Sequence, residues 1–508
     1  MSEEGDSNLS YPTGLYSSPI VDRNPSPPPT SKSQEADDDE LNAEICIGGT
    51  VFSKHWVFTT LMKLIKEVDK EEVLGVKEDD KCNESKEDVQ DKKDCDTKVE
   101  KTCSVVDTVT STSTSGCHAS PTLTPSSVES STASPCPAAL PSSSTSPIDI
   151  DEEIENELCK LWDMSMNQDV AVFLHEWKTE DILVGVIAKT NAPRATEICI
   201  GILANMACNE DIVIDMSKKE RFIEVVLALL ECTDPPTLVE TTRLIYSCIS
   251  NSTAASYWLS VLKTDPAIYD TMCFVLQSST NGDLLHNMSD LVDKLLDMDD
   301  ELLEMWSSST LLLAICEAIQ QVRKPRPKTL EYLLHSLQLL STTEKGVESI
   351  GENGSTVCPL ISDSLHAICS EESVTLVGRE TELAAAVSVL DTLITSKSNG
   401  IKYLQSNEGI TSDLLVILNE IKPILRRPSS TSSSLAAADE EQMEKRKAKT
   451  LQNVIVNLMS TVLKTRDGNT IICNQLKKCP RNHVKTLKGT LKRKGVDDDI
   501  IQTLEWEL

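Results

Sequence analysis

The chain has 508 residues and a formal net charge of −32, which argues against membrane or nucleic-acid binding by the chain as a whole. Aromatic residues make up only 4% of it, as is common in helical repeat proteins. The 17 cysteines are odd in number, no hydrophobic signal peptide precedes the acidic N-terminus, and no apolar run approaches the ~20 residues that span a bilayer. We therefore expect a protein of a reducing compartment with no membrane segment.

The N-terminal part of the chain alternates between polar tails and one apolar segment. Residues 1–43 are rich in Ser, Pro and acidic residues and predict a disordered tail. In residues 44–68, apolar side chains recur at helical spacing after the N-cap residue Ser53, so we expect an amphipathic helix that docks on the body of the protein. A free, disordered interaction motif is the alternative. Residues 69–148 are charged and then Ser/Thr/Pro-rich, and they predict a disordered insert.

The pattern of residues 191–216 recurs at 234–259. Pro236 corresponds to Pro193, and Asn251, like Asn209, begins the following helix. A period of about forty residues with two or three helices per unit is typical of armadillo and HEAT repeats. The fold class predicted is therefore all-α, an armadillo/HEAT-like helical solenoid with a disordered N-terminal region. Its parts are the repeats at 149–426, a flexible linker at 427–439, and basic C-terminal helices at 440–508 that close the solenoid.

Small residues mark one face of the helix in the first of these units. Gly201, Ala204 and Cys208 lie on that face, whereas Ile198 and Ile202 belong to an apolar stripe. A helix that is apolar on one side and small on another is usually packed between neighbours. We therefore expect a close inter-helix contact at Gly201.

Six segments carry a family resemblance: DRNPSPPP (22–29), IGGTVFSKHW (47–56), ELCKLWDMSMNQDVAVFL (157–174), CIGILANMAC (199–208), DPPTLVET (234–241) and DPAIYDTMCF (265–274). Together they resemble the serum amyloid A-like protein family. The resemblance implies an armadillo-type, non-enzymatic and largely nuclear protein linked to cell proliferation and inflammatory growth. It brings no catalytic or ligand-binding residues to carry over, and the long Ser/Thr insert departs from it.

Sequence motifs of catalysis are not found in the chain. There is no phosphate-binding loop, no G-x-S-x-G nucleophile motif, no H-E-x-x-H and no C-x-x-C, and the seven histidines are scattered. We therefore predict that the protein is not an enzyme and uses no cofactor or metal.

A binding surface is expected on the last helices of the repeats, which line an extended concave groove in solenoids. The candidate groove residues are Glu197, Gly201, Asn205, Glu240, Asp290, Asp293 and Asp297. Because most of them are acidic, we expect a protein partner with a basic segment, bound by a monomer. The side chain of Asn205 has two open roles, a partner contact or a bond to the backbone of the neighbouring repeat.

The C-terminal region is basic. Its candidate nuclear localisation residues are Lys445, Arg446, Lys447 and Lys449, and Lys492, Arg493 and Lys494. They could equally be a solvated helix face, or weak nucleic-acid contacts without aromatic stacking, since no aromatic residue occurs between Leu404 and Glu505. A chromatin-associated protein is thus the alternative function. We expect a nuclear protein, with the cytoplasm as a second location, whose basic region occupies the acidic groove as a latch.

Overall fold

The computed structural model describes residues 46–83, 149–322, 327–370, 376–396, 400–427, 435–502 and 504. Within these ranges the chain is helical, apart from turns and one isolated antiparallel bridge between Cys46 and Ser53. The predicted all-α class is therefore confirmed. The predicted tail at 1–43 and most of the insert at 69–148 lie outside the described residues.

The helices follow one another with short connections. In chain order they are α1 Lys54–Asn83, α2 Glu152–Met164, α3 Gln168–Glu176, α4 Thr179–Ile187, α5 Pro193–Met206, α6 Glu210–Ser217, α7 Glu220–Ala228, a 3₁₀ turn Leu229–Glu231, α8 Pro235–Ser250, α9 Ser252–Leu262, α10 Pro266–Ser278, α11 Gly282–Met298, α12 Asp300–Trp306, α13 Ser309–Gln321, α14 Pro327–Leu340, α15 Glu344–Glu352, α16 Gly354–Cys369, α17 Glu380–Ser396, α18 Lys402–Ser406, α19 Gly409–Arg426, α20 Leu435–Lys464, α21 Arg466–Leu476, α22 Arg481–Arg493 and α23 Asp498–Gln502.

The helices form two series, and within each series a helix packs on the helix three positions further along the chain. One ladder, which we call ladder A, runs α2–α5–α8–α11–α14–α17–α20, and each of its helices contacts the next. Ladder B runs α4–α7–α10–α13–α16–α19–α22, with the 3₁₀ turn joining α7 to α10. One shorter helix in each unit connects ladder A to ladder B. This repeated three-helix unit is the armadillo-type arrangement that the sequence period predicts.

Local sequence signals set the helix starts. Asn209 and Asn251 each cap a helix, because each side chain accepts hydrogen bonds from the backbone N–H groups two and three residues further on. Pro193 and Pro235 occupy the first turns of α5 and α8, where a missing N–H costs nothing. Pro235, rather than Pro236, is therefore the counterpart of Pro193, a shift of one residue from the sequence alignment.

A buried tryptophan shows how successive repeats are held together. The Trp258 side chain is fully buried, its Nε1–H donates to Ser217 Oγ at 3.0 Å, and its ring meets Phe222 edge-on at 5.9 Å between centroids. Trp258 lies on α9, whereas Ser217 and Phe222 lie on α6 and α7 of the preceding unit. Aromatic burial with a satisfied N–H stabilises this junction strongly.

The C-terminal helices extend both ladders. Helix α20 begins at Leu435, inside the predicted linker at 427–439, and packs on α17 as the last helix of ladder A. Helix α22 packs on α19 as the last helix of ladder B. The prediction of a basic latch that folds back into the groove is therefore wrong: the region continues the solenoid because its apolar side chains are needed in the core.

The segment before α1 and the first half of α1 dock on the start of the solenoid. Phe58 lies edge-on to Phe173 and Trp177, at 5.7 and 4.8 Å between centroids. The Gly49 N–H donates to Asp169 at 3.2 Å, and Thr60 donates to Glu157 at 3.2 Å. The structure thus shows the docked helix rather than a free motif. Helix α1 continues to Asn83, beyond the predicted start of the insert at residue 69.

Replacing Leu64 with Ala should lower the free energy of unfolding by about 2–5 kcal/mol, because this side chain is 0% exposed in the docked helix. Met62 lies on the same helix and is 51% exposed, so Met62→Ala should change the stability by no more than about 0.5 kcal/mol. Urea unfolding of the two variants measures the difference. Equal stabilities would show that α1 does not pack on the solenoid in solution.

Candidate interaction surfaces on ladder A and at the C-terminus

Gly201 lies at a close contact between α5 and α2. A Cβ atom added here would overlap the indole ring of Trp162 on α2. The Gly201 carbonyl accepts a hydrogen bond from Arg243 Nη2 at 3.2 Å, so α8 covers its other side. The close packing predicted at this glycine is present, but the same packing removes Gly201 from any open groove.

Asn205 is fixed by three hydrogen bonds to neighbouring repeats. Its Nδ2 donates to the Trp162 carbonyl and to Ser165 Oγ, both at 3.0 Å, and its Oδ1 accepts from Arg243 Nη1 at 3.0 Å. The side chain is 5% exposed. Of the two roles considered for Asn205, the structure shows the bond to neighbouring backbone, and the residue is not an accessible groove contact.

Glu197 is also covered. It is 8% exposed, and its carboxylate accepts from Arg194 Nη1 at 2.8 Å. The same guanidinium donates to Glu155 on α2 at 2.8 Å, so Arg194 ties α2 to α5. Glu197 therefore balances a structural arginine and does not contribute free negative charge to a groove, contrary to its predicted place there.

Arg243 is the centre of the next contact along ladder A. Its Nε donates to Glu240 at 2.7 Å, while the rest of the guanidinium reaches Asn205 and the Gly201 carbonyl. A planar guanidinium with several donors suits such a bridge between helices. Glu240 is thus half-buried and paired. Sequence reasoning missed Arg194 and Arg243, although each stands three residues from its glutamate, the spacing of helical ion pairs.

The acidic row on α11 consists of Asp290, Asp293 and Asp297. The first two are half-buried and the last is exposed. Asp293 accepts from His335 Nδ1 at 2.9 Å and from Ser336 Oγ at 3.1 Å. Among the described residues, neither Asp290 nor Asp297 forms an ion pair within 4 Å. The acidic row is therefore the part of the predicted groove in which two carboxylates, Asp290 and Asp297, form no ion pair with a described residue.

Burial and charge shift the titration of these groups. Burial, and next the charge of Asp293, raise the pKa of Asp290 to about 6, against a hydrogen bond from Tyr332 and the charges of Lys294 and Lys328. Burial also raises the pKa of Asp293, and the bond to Asp293 raises the pKa of His335. A cation brought next to Asp290 would favour its ionised form.

The two predicted localisation sequences lie in helices. Residues 445–449 form part of α20, where Ala448 is buried and Lys445 pairs with Glu441. Lys492 and Arg493 end α22, and Lys494 follows it, all three exposed. A receptor that reads an extended peptide would have to unfold α20 to bind residues 445–449. Residues 492–494 stand at the end of α22, so unwinding only its last turn would expose them as an extended peptide.

A cleft of about 870 Å³ lies where α19, α20 and α22 meet. We call it the basic cleft, because six cations line it: Lys422, Arg426, Lys445, Arg446, Lys449 and Arg493. The remaining lining residues are Leu425, Gln442, Thr450 and Gln452. The fold thus brings together residues from the two predicted localisation sequences with two cations of α19 that sequence reasoning did not select.

Two further features of the described ranges concern metal ions and membranes. No group of three or more His, Cys, Asp or Glu residues there is arranged to hold a metal ion. No single helix among them has the length and apolarity to cross a membrane, although α12 and α13, bent by 89° at their junction, meet that criterion as a pair by length and composition alone.

Comparison with known proteins gives consistent matches. Residues 268–494 match the family described as the SAAL1 C-terminal domain. Protein saal1 of Danio rerio is 33% identical over 469 residues, covering 88% of this chain and 84% of that protein. Protein SAAL1 of Homo sapiens is 30% identical over 442 residues, covering 82% and 79%. A crystal structure of an engineered protein aligns with a TM-score of 0.40 and 12% identity, covering 70% of this chain and 94% of that one. The chain belongs to the SAAL1 family of serum amyloid A-like proteins.

Proposed function

We propose that this protein is a non-enzymatic interaction scaffold that acts in the nucleus and promotes or regulates cell proliferation, including growth in response to inflammatory stimuli. Membership of the SAAL1 family supports the link with proliferation. The ladder architecture supports the scaffold role, because stacked repeats present an extended, rigid surface to a partner. The exposed cations at the end of α22 support nuclear import.

The acidic row on α11 carries the proposal for the partner. Asp290 and Asp293 are one helical turn apart and half-buried, and Asp297 follows on the same face. Holding two carboxylates close together away from water is unfavourable, as the raised pKa of Asp290 shows. A Lys or Arg side chain of a partner would relieve this repulsion. A protein with a basic segment is therefore the partner class that the surface suits.

The experiment measures binding of a fluorescent Arg/Lys-rich peptide to the full-length protein by anisotropy. The double variant Asp290→Asn/Asp297→Asn should weaken binding about tenfold, because it removes both unpaired charges and leaves the Asp293–His335 pair intact. In the parent protein, binding should also weaken as the pH falls through about 6, since protonation neutralises Asp290.

Asp270→Asn provides the matched control. Asp270 is an exposed carboxylate on α10, in ladder B, so its neutralisation removes one negative charge, against two in the double variant, without touching the acidic row. If one such neutralisation on ladder B weakens the peptide complex as much as the double variant does, the peptide responds only to overall charge. The acidic row would then not be the binding surface.

The alternative, a nucleic-acid or chromatin-associated protein, rests on the basic C-terminal residues. The described lining of the basic cleft has no aromatic side chain on which a base could stack, so such binding would depend on phosphate contacts and fall steeply with salt. The proposal of a protein partner on ladder A does not depend on this cleft.

A further inference from the structure

The basic cleft concentrates positive charge from three separate helices. Lys422 and Arg426 come from α19, Arg446 and Lys449 from α20, and Arg493 from α22. Helices α19 and α22 belong to ladder B, whereas α20 belongs to ladder A. Among the described residues, no carboxylate lines the cleft. The cleft therefore joins both ladders around a volume of net positive charge.

Most of these cations have no protein counter-charge. In the part of the chain that the structure describes, Lys422, Arg426, Arg446 and Lys449 form neither an ion pair nor a side-chain hydrogen bond. Lys445 pairs with Glu441, whereas Arg493 donates to Thr490 Oγ1 at 3.0 Å. Like charges that converge in a partly enclosed cleft repel one another. A bound anion would remove that repulsion, which no residue of the lining does.

We propose that the basic cleft binds a compact polyphosphate, a small molecule that carries several phosphate groups. Its volume of about 870 Å³ is that of a small-molecule site. Three of its six cations are arginines, whose planar forks bind phosphate oxygens in pairs, and phosphomonoesters carry close to two charges each at neutral pH. Gln442, Thr450 and Gln452 add neutral polar groups for hydrogen bonding.

The residues that line the cleft disfavour nucleic acids, the other class of polyanion. Of the described residues that line it, Leu425 alone is apolar and none has an aromatic ring to stack on a base. A duplex carries its phosphates along an extended track and needs cations spread along that track. The six cations instead surround a single cleft. A cluster of phosphates on a small scaffold matches this arrangement.

The test uses inositol hexakisphosphate as the probe and the full-length protein at about 150 mM salt. Isothermal titration calorimetry should give one site per chain. The melting temperature should rise with probe concentration, because the ligand binds only the folded cleft. Arg446→Gln/Lys449→Gln should weaken the affinity about tenfold or more. Both side chains are exposed and unpaired in the described structure, so without probe the variant should melt no lower than the parent.

Lys447→Gln is the matched control, because Lys447 is an exposed cation of the same helix that does not line the cleft. Its affinity for the probe should stay within about twofold of the parent value. Equal weakening in the control, or none in the double variant, would overturn the assignment of the site. A 20-base-pair duplex is the second probe. If it binds the parent more tightly than inositol hexakisphosphate does, and the double variant no longer binds it, the cleft is a nucleic-acid site instead.

Discussion

Gly201→Ala should lower the free energy of unfolding by about 1–3 kcal/mol, even though it adds a single methyl group to a helix. Alanine is the better helix former, so the intrinsic preference of the helix favours the substitution. The new methyl group would, however, overlap the Trp162 ring. The backbone of Trp162 is held in place, because its carbonyl accepts from Asn205, so the ring can yield only by leaving its present rotamer. Overpacking should therefore outweigh helix propensity, as thermal or urea unfolding can measure.

Gly185→Ala is the control, with an effect of opposite sign. Gly185 lies within α4, and a Cβ atom there would meet nothing within 4 Å. The substitution should raise the stability by about 0.4–1 kcal/mol through the lower entropy of the unfolded chain. If both alanine variants are stabilised, Trp162 does not cover Gly201 in solution, and the face of α5 is open after all.

The contrast between these glycines shows what the sequence could predict. The recurrence of Pro193 and Asn209 in the next unit predicts the helical repeat, since both signals act locally through N–H groups at helix starts. The small face around Gly201 correctly predicts close packing. Which neighbour fills that space depends on a tryptophan on α2, far away in the chain, and periodicity cannot supply that information.

The candidate groove was harder to predict for the same reason. From the sequence, each acidic residue of ladder A looks free to bind a basic partner. In the structure, Arg194 and Arg243 neutralise Glu197 and Glu240. The helical spacing of these pairs is visible in the sequence. The bridges from the two arginines to other helices are not, because they require the register of neighbouring repeats. Asp290 forms no ion pair with a described residue, but its partial burial likewise becomes visible only in the folded protein.

The basic C-terminal region is the clearest case of tertiary structure changing an interpretation. In the sequence, residues 445–449 and 492–494 are two separate basic stretches, each resembling a localisation signal. In the structure, Arg446 and Arg493 line the same cleft as Lys422, which lies on α19 of ladder B. Only the packing of α19, α20 and α22 reveals that these charges converge.

Removing residues 440–508 should abolish the cooperative unfolding of the protein. It should not uncover a partner-binding groove, as the latch prediction would require. The deletion takes away α21, α22, α23 and most of α20, and so exposes apolar side chains on α17 and α19. Leu390 and Leu418, which are buried at present, belong to these helices, and exposing one such side chain costs roughly 1.5–3 kcal/mol. Calorimetry should show a broad or absent transition, and size-exclusion chromatography should show aggregation.

Deleting residues 84–146 is a control of similar length. These residues lie outside the described ranges, and loop closure depends only weakly on loop length, so the melting temperature should change by little. A C-terminal truncation that stays monomeric, melts cooperatively and binds more of the basic peptide would restore the latch interpretation. It would also show that ladder A is complete without α20. Equal destabilisation by both deletions would instead place residues 84–146 among the segments that the fold requires.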